Sequence, residues 1–308
     1  MRGFSRFLVA AIGICSLPSS AYAQVSPFQK GVGKILSDKQ ILDIDKNLSS
    51  IVRQNAPEST AAANQLGSRE FRLDPRIVGG EPADIKDNPW QVALIFGHAP
   101  EPVRVQFCGG SLIGSKIVVT AAHCVDRGTK IERVNVIANT SFYKNGGERA
   151  KVSKIVVHEN WNPQTHENDV AVLHLEADIK EAKPIILADR DIKIADGSNL
   201  RVTGWGAISE GAQGSEILLT ADIPTVSNAT CKEAYGNDIK SGMLCAGLRN
   251  GGLDSCQGDS GGPGVVLNGG KPTLAAIVSF GEGCARREKY GVYTRVSQYR
   301  DWIEKASK

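Results

Sequence analysis

From position 77 to the end of the chain, apolar residues come in short runs that glycine, proline and polar residues interrupt. Val92–Phe96, Lys116–Thr120, Arg133–Ile137 and Val170–Leu175 are such runs, and Ser111–Ile113 and Ile155–Val157 are shorter ones. They are rich in β-branched residues and too short for amphipathic helices, so each predicts a strand. Residues 183–197 bridge to a second series: Asn199–Thr203, Ile217–Leu219, Gly264–Leu267, Leu274–Ser279 and Gly291–Arg295. Strands without helices between them predict an all-β fold of barrels or sandwiches, and two similar series predict two of them. The chain closes on Ser297–Lys305, where Ser297 is placed to cap a short helix and Tyr299, Trp302 and Ile303 to dock it.

The first 76 residues follow a different pattern. Arg2 and Arg6 precede the apolar stretch Phe7–Leu17, Pro18 breaks it, and Ala21-Tyr-Ala23 offers a cleavage site. This predicts a secretory signal over 1–23, too short in its apolar core to span a bilayer. Ile35, Leu36, Ile41, Leu42, Ile44, Leu48, Ile51 and Val52 then recur at helical spacing, and residues 56–64 read as a flexible linker. Residues 24–76 form a separate N-terminal segment.

Composition narrows the function classes. The 308 residues carry 36 Lys+Arg against 33 Asp+Glu, a net charge of +3. That balance, with no basic block, argues against nucleic acid or an anionic membrane as partner. Of the seven cysteines, Cys15 lies in the signal. The other six (Cys108, Cys124, Cys231, Cys245, Cys256 and Cys284) are even in number, as an oxidising compartment favours. They can pair in many ways, and the sequential set is one of them. No Cys-x-x-Cys occurs, so the spacings predict no metal site.

The densest chemistry lies in Asp254-Ser-Cys-Gln-Gly-Asp-Ser260-Gly-Gly-Pro263. Gly258-Asp-Ser260-Gly-Gly262 also matches the nucleophile elbow of α/β-hydrolases, which requires its histidine downstream of the serine. All five histidines (98, 123, 158, 166 and 174) precede Ser260, so the elbow reading fails. The order left is His, Asp, Ser, one of the known ways to assemble a hydrolytic triad. His123 ends a strong strand beside Cys124, and Asp169 opens the apolar run at Val170. A carboxylate that holds an imidazole in one tautomer is what a serine nucleophile needs.

Ile77-Val-Gly-Gly, Thr120-Ala-Ala-His-Cys, Asn168-Asp-Val-Ala, Gly204-Trp-Gly, Gly258-Asp-Ser-Gly-Gly-Pro and Gly291-Val-Tyr-Thr-Arg together resemble the chymotrypsin-like serine proteases, and trypsin among them. The resemblance runs from Ile77 to the C-terminus. It implies two perpendicular six-stranded antiparallel β-barrels, about 77–185 and 186–308, with a short C-terminal helix and the site in the cleft between them. It makes Ser260 the nucleophile, His123 the general acid/base and Asp169 its orienter, with the N–H groups of Gly258 and Ser260 as the oxyanion hole. Asp254 becomes the floor of the specificity pocket, with Ser255 beside it and Ser279, Gly281 and Gly291 in its walls, which implies cleavage after Arg or Lys. Arg76–Ile77 becomes an activation site: cleavage frees an amine that pairs with Asp259, and residues 24–76 are then a propeptide with no cysteine to tether it.

The same resemblance implies a secreted (extracellular or periplasmic) monomer with protein or peptide substrates and protein inhibitors as partners. It implies no required cofactor. An inactive homologue acting as a binding module is the alternative, against which the intact His123, Asp169 and Ser260 stand. Three features depart from the pattern. Phe280 replaces the usual tryptophan, and the additional disulfides of vertebrate trypsins are absent. Tyr290 stands where trypsin has proline, as in sodium-sensitive clotting proteases, so the carbonyls of Arg286 and Lys289 become candidate Na⁺ ligands.

Overall fold

The computed structural model describes residues 78–97, 105–126 and 128–308. The expected signal and propeptide, with Arg76 and Ile77, lie outside them. The described chain forms two closed barrels of six antiparallel strands. The first comprises β2 (Gln91–Phe96), β3 (Gln106–Gly114), β4 (Ile117–Thr120), β5 (Val134–Ala138), β6 (Glu148–Val157) and β7 (Ala171–Leu175), after a two-residue β1 (Glu81–Pro82). Their order around the barrel is β2-β3-β4-β7-β6-β5. After β8 (Ile186–Leu187) come β9 (Asn199–Gly204), β10 (Leu219–Val226), β11 (Met243–Ala246), β12 (Pro263–Asn268), β13 (Lys271–Phe280) and β14 (Gly291–Arg295). The second barrel runs β9-β10-β11-β14-β13-β12 and closes where β12 pairs with β9. β1 extends it at β10, and β8 pairs with β13 in parallel.

The unbroken apolar runs of the sequence have a structural cause. Val118 and Leu173 of β4 and β7 point into the first barrel's core, with Val92, Leu94, Leu112 and Val136. Val119 and Val172, on the opposite faces, pack into the cluster that holds Leu200, Val202, Ile277 and Tyr293 of the second barrel. Successive side chains of a strand point to opposite faces, so a strand caught between two barrels must be apolar on both. Each such fully buried aliphatic side chain contributes about 1.5–3 kcal/mol. This seam positions the site. Thr120 pairs with Ala171, which brings the chain just after β4, carrying His123, beside the chain just before β7, carrying Asp169.

The six cysteines pair sequentially as Cys108–Cys124, Cys231–Cys245 and Cys256–Cys284. These short loops suggest roughly 3 kcal/mol each from loop closure. The C-terminal helix spans Val296–Ala306 and docks through Ile303, Tyr299 and Trp302, as the pattern predicts. Its cap differs. Ser297 is already inside the helix, the N-cap is Arg295 and no side chain caps it. The reason is that β14 stays paired through Arg295 and leads straight into the helix. The pattern does not predict the short β1, β8 and β11, nor a helix over Asn228–Tyr235 capped by the Ser227 hydroxyl, which accepts from the Thr230 N–H. Among the described residues, no helix is long and apolar enough to cross a membrane.

Candidate active site

His123 and Asp169 meet where the ends of β4 and β7 converge. Asp169 is fully buried, and its two oxygens are both engaged by His123: Oδ1 accepts from the backbone N–H at 2.9 Å, and Oδ2 lies 2.8 Å from Nδ1. The Ser279 hydroxyl donates to the same Oδ2 at 2.5 Å, and Thr294 donates to the Asp169 carbonyl at 2.7 Å. A carboxylate accepts only, so Nδ1 carries the proton and Nε2 is left with a free lone pair. An imidazole held this way can take a proton from a neighbouring hydroxyl.

Ser260 sits in a turn braced against the His123 segment. The Gly109 N–H donates to the Ser260 carbonyl at 2.7 Å. A Cβ at Gly261 would clash with the Thr120 hydroxyl and come within 3.1 Å of the Ala121 nitrogen. Cys256–Asp259 forms a turn closed by the Asp259 N–H on the Cys256 carbonyl at 3.0 Å, with Gly258 at φ +97°. A positive φ at the third position is the type II signature and favours glycine. The Ala207 N–H holds the Gln257 carbonyl at 2.7 Å. The trans peptide therefore points the Gly258 N–H to the opposite side.

Asp259 turns away from this turn into a cradle. Its carboxylate accepts from the Gly206 N–H and the Cys256 N–H, each at 2.9 Å. It is almost fully buried, and burial pushes its carboxyl up to about 6. Among the described residues it has no cationic partner. Val78 forms a bridge with Asp254 and packs beside Ala207 and the Cys256–Cys284 disulfide.

A pocket of about 190 Å³ opens next to Ser260. Asp254, Ser255, Ser279, Gly281 and Gly291 all line it, together with Phe280 and the Cys256–Cys284 bridge. Asp254 is 5% exposed. Its Oδ2 accepts from the Ala285 N–H at 3.0 Å, whereas Oδ1 has no hydrogen-bond partner among the described residues. Burial pushes this carboxyl up to about 7. A Cβ at Gly291 would lie 2.6 Å from Asp254 Oδ1, so a side chain there would cover the carboxylate. A buried carboxylate with a bare oxygen is unfavourable alone, and a cation entering the pocket relieves it.

The sequence model of the trypsin family matches residues 77–303, the span that holds the barrels, the His123–Asp169 pair and the pocket. The chain belongs to the trypsin family. It is 45% identical to a trypsin from Saccharopolyspora erythraea over 227 residues, 73% of this chain and 95% of that protein. It is 40% identical to a vitellin-degrading protease from Bombyx mori over 236 residues, 75% of this chain and 85% of that one. It is 37% identical to trypsin 5G1 from Aedes aegypti over 242 residues, 77% and 87% of the two chains. It is a trypsin-like serine protease, and proteins are its substrate class.

In this trypsin-family chain the Phe280 position has a neighbour that the sequence did not single out. The His166 ring lies 4.7 Å from that of Phe280 and 6.5 Å from that of His123, and the Tyr235 ring lies 6.1 Å from that of Phe280. Burial lowers the His166 pKa below the ordinary imidazole range. Thr294 and Gly206 stand inside sequence motifs that gave them no role, and Ala207 follows the Gly204-Trp-Gly motif without belonging to it. One grouping of ligand-type atoms comprises Cys108, His123 and Cys124. Its two sulfurs are joined in a disulfide, which leaves no thiolate to hold a metal.

Proposed function

We propose that this trypsin-family protein is a secreted endopeptidase that hydrolyses peptide bonds after Arg or Lys and is made as a zymogen. The observation that carries the specificity is the bare Oδ1 of Asp254 at the end of a narrow pocket. A guanidinium or ammonium supplies the missing charge-assisted hydrogen bond, and the glycine walls leave room for the long stem.

In this reading Ser260 Oγ attacks the scissile carbonyl while His123 Nε2 takes its proton. The imidazolium formed is stabilised by Asp169, whose own oxygens stay fixed by the His123 N–H and the Ser279 hydroxyl. The negative oxygen of the tetrahedral intermediate receives hydrogen bonds from the Gly258 and Ser260 N–H groups. Collapse breaks the C–N bond, and His123 hands its proton to the leaving amine. Water then enters, His123 takes a proton from it, and the acyl-enzyme is hydrolysed with the proton returned to Ser260.

Activation supplies the cation that Asp259 lacks. Cleavage at Arg76–Ile77 frees an amine one residue before Val78, which lies beside the cradle. Arg76→Gln is expected to leave the secreted chain intact and inactive, whereas the active wild-type species starts at Ile77. N-terminal sequencing of the active fraction, with a peptide-library cleavage profile, tests both points. Activity of the Arg76→Gln chain equal to wild type would sink the zymogen reading. Protein inhibitors and a monomeric state belong to the same proposal.

Pocket occupancy has a pH signature. Only ionised Asp254 pairs with a cation, and its carboxyl titrates at about 7 with the pocket empty. Benzamidine affinity, measured by calorimetry, is therefore expected to fall about tenfold per pH unit below that point and to level off above it. An affinity independent of pH between about 5 and 8 would contradict the assignment of Asp254 as its partner.

The Arg286 and Lys289 carbonyls remain the candidate ligands for Na⁺. The Arg286 carbonyl accepts one hydrogen bond, from the Lys289 N–H at 3.2 Å, which leaves its second lone pair for the ion. No step is routed through it.

A further inference from the structure

The turn that carries Gly258 is gripped from the other barrel by a residue far away in sequence. Gln106 Nε2 donates to the Gly258 carbonyl at 2.6 Å, across 152 positions of chain. Three residues further along the same strand, the Gly109 N–H donates to the Ser260 carbonyl at 2.7 Å. β3 thus holds both ends of the Gly258–Ser260 segment. Its partner β4 leads into His123, so the two bonds tie the second barrel's turn to the body that carries the base.

A strand irregularity aims the amide there. In β3 against β2, Leu94 faces Cys108 and Ile95 faces Gln106, so Phe107 is an extra residue, a bulge. In a regular strand Gln106 would share the inward face of Cys108. The bulge lets Phe107 and Cys108 both pack on the first barrel's core. That leaves Gln106 to face the cleft, as bulges re-aim side chains elsewhere.

The direction of the Gly258 N–H depends on the type II form of its turn. Rotating the Gln257–Gly258 peptide converts types I and II and reverses that N–H. The Ala207 bond restrains this peptide on one side, and the Gln106 bond fixes the next peptide on the other. We propose that Gln106 is a positioning residue for the reaction: its amide holds the Gly258 N–H aimed at the developing oxyanion. The inference rests on the proposed oxyanion hole of Gly258 and Ser260.

The test uses active enzyme from the full chain carrying Gln106→Glu, which keeps size and removes the donor, and Gln106→Leu. On an arginine amide, kcat is expected to fall about tenfold in both, with KM within about twofold. The inhibition constant of an arginine peptide aldehyde, whose adduct with Ser260 carries the tetrahedral oxygen, is expected to rise by a similar factor. Benzamidine, which fills only the pocket, is expected to bind unchanged. Gln106→His, whose Nε2 reaches a similar distance from the strand, is expected to restore most of the aldehyde affinity. An unchanged aldehyde constant in Gln106→Glu overturns the proposal, as does an equal loss for aldehyde and benzamidine. Wild-type enzyme that neither cuts the amide nor binds the aldehyde would instead overturn the reading of the site itself.

Discussion

Replacing Ser260 by alanine is expected to lower kcat/KM on an arginine amide by about 10⁶-fold. The loss is this large because Oγ is the atom that forms the covalent bond, and no other group in the turn can replace it. The change deletes one oxygen from a half-exposed side chain and leaves the backbone bonds of the turn in place, including Gly109 N–H to the Ser260 carbonyl. Benzamidine should therefore still bind Ser260→Ala, which separates lost chemistry from lost folding. His123→Ala should cost a similar factor, and the double variant little more, because the pair acts as a unit. Hydrolysis by Ser260→Ala within about a hundredfold of wild type would place the nucleophile elsewhere.

The second large effect is on what is cut. Asp254→Ser is expected to reduce kcat/KM on arginine substrates by about 10²–10⁴-fold, the range for removing one partner of a desolvated charge pair. Apolar residues should lose little at the same position, so the cleavage profile shifts away from Arg and Lys before turnover disappears. The structural reason is the bare Oδ1: among the described residues no cation pairs with the carboxylate, and the bond from the Ala285 N–H is to Oδ2, so a substrate cation meets the charge at Oδ1. Serine also leaves the Ala285 N–H without its acceptor, which adds some loosening of the wall. A peptide library read on both enzymes decides the matter, and an unaltered preference for Arg and Lys would rule out Asp254 as the determinant.

The residues that bear charge and the catalytic groups were legible in the sequence because each sits in a short motif. Chain order excluded the elbow reading, the resemblance of the motifs to trypsin-type proteases pointed to His123, Asp169 and Asp254, and the structure brings His123 against Asp169. Gln106 could not be found this way, since only barrel topology brings it to Gly258. Nor could the orientation of Ser279, which lines the pocket while its hydroxyl turns to Asp169. Among the strands, β10 was read only at its start. Leu219, Ala221, Ile223 and Thr225 do alternate inward, but alanine and threonine give a faint signal and Pro224 argues against a strand. β11 is four buried residues, too short to show a period. The Ser297 cap failed because a cap rule assumes a chain arriving from a loop, and here a strand arrives instead.

The cradle around Asp259 can also be read in reverse. Gly204 and Gly206, more than fifty residues earlier, each stand where a methyl group would occupy the volume of that carboxylate. Gly204-Trp-Gly206 is thus a mould whose cast is an aspartate with nothing added. An Asp259→Glu chain has one methylene too many for it, and an alanine in either glycine position displaces the same acid from the other side. The two segments are one specification written twice, so neither can drift without the other.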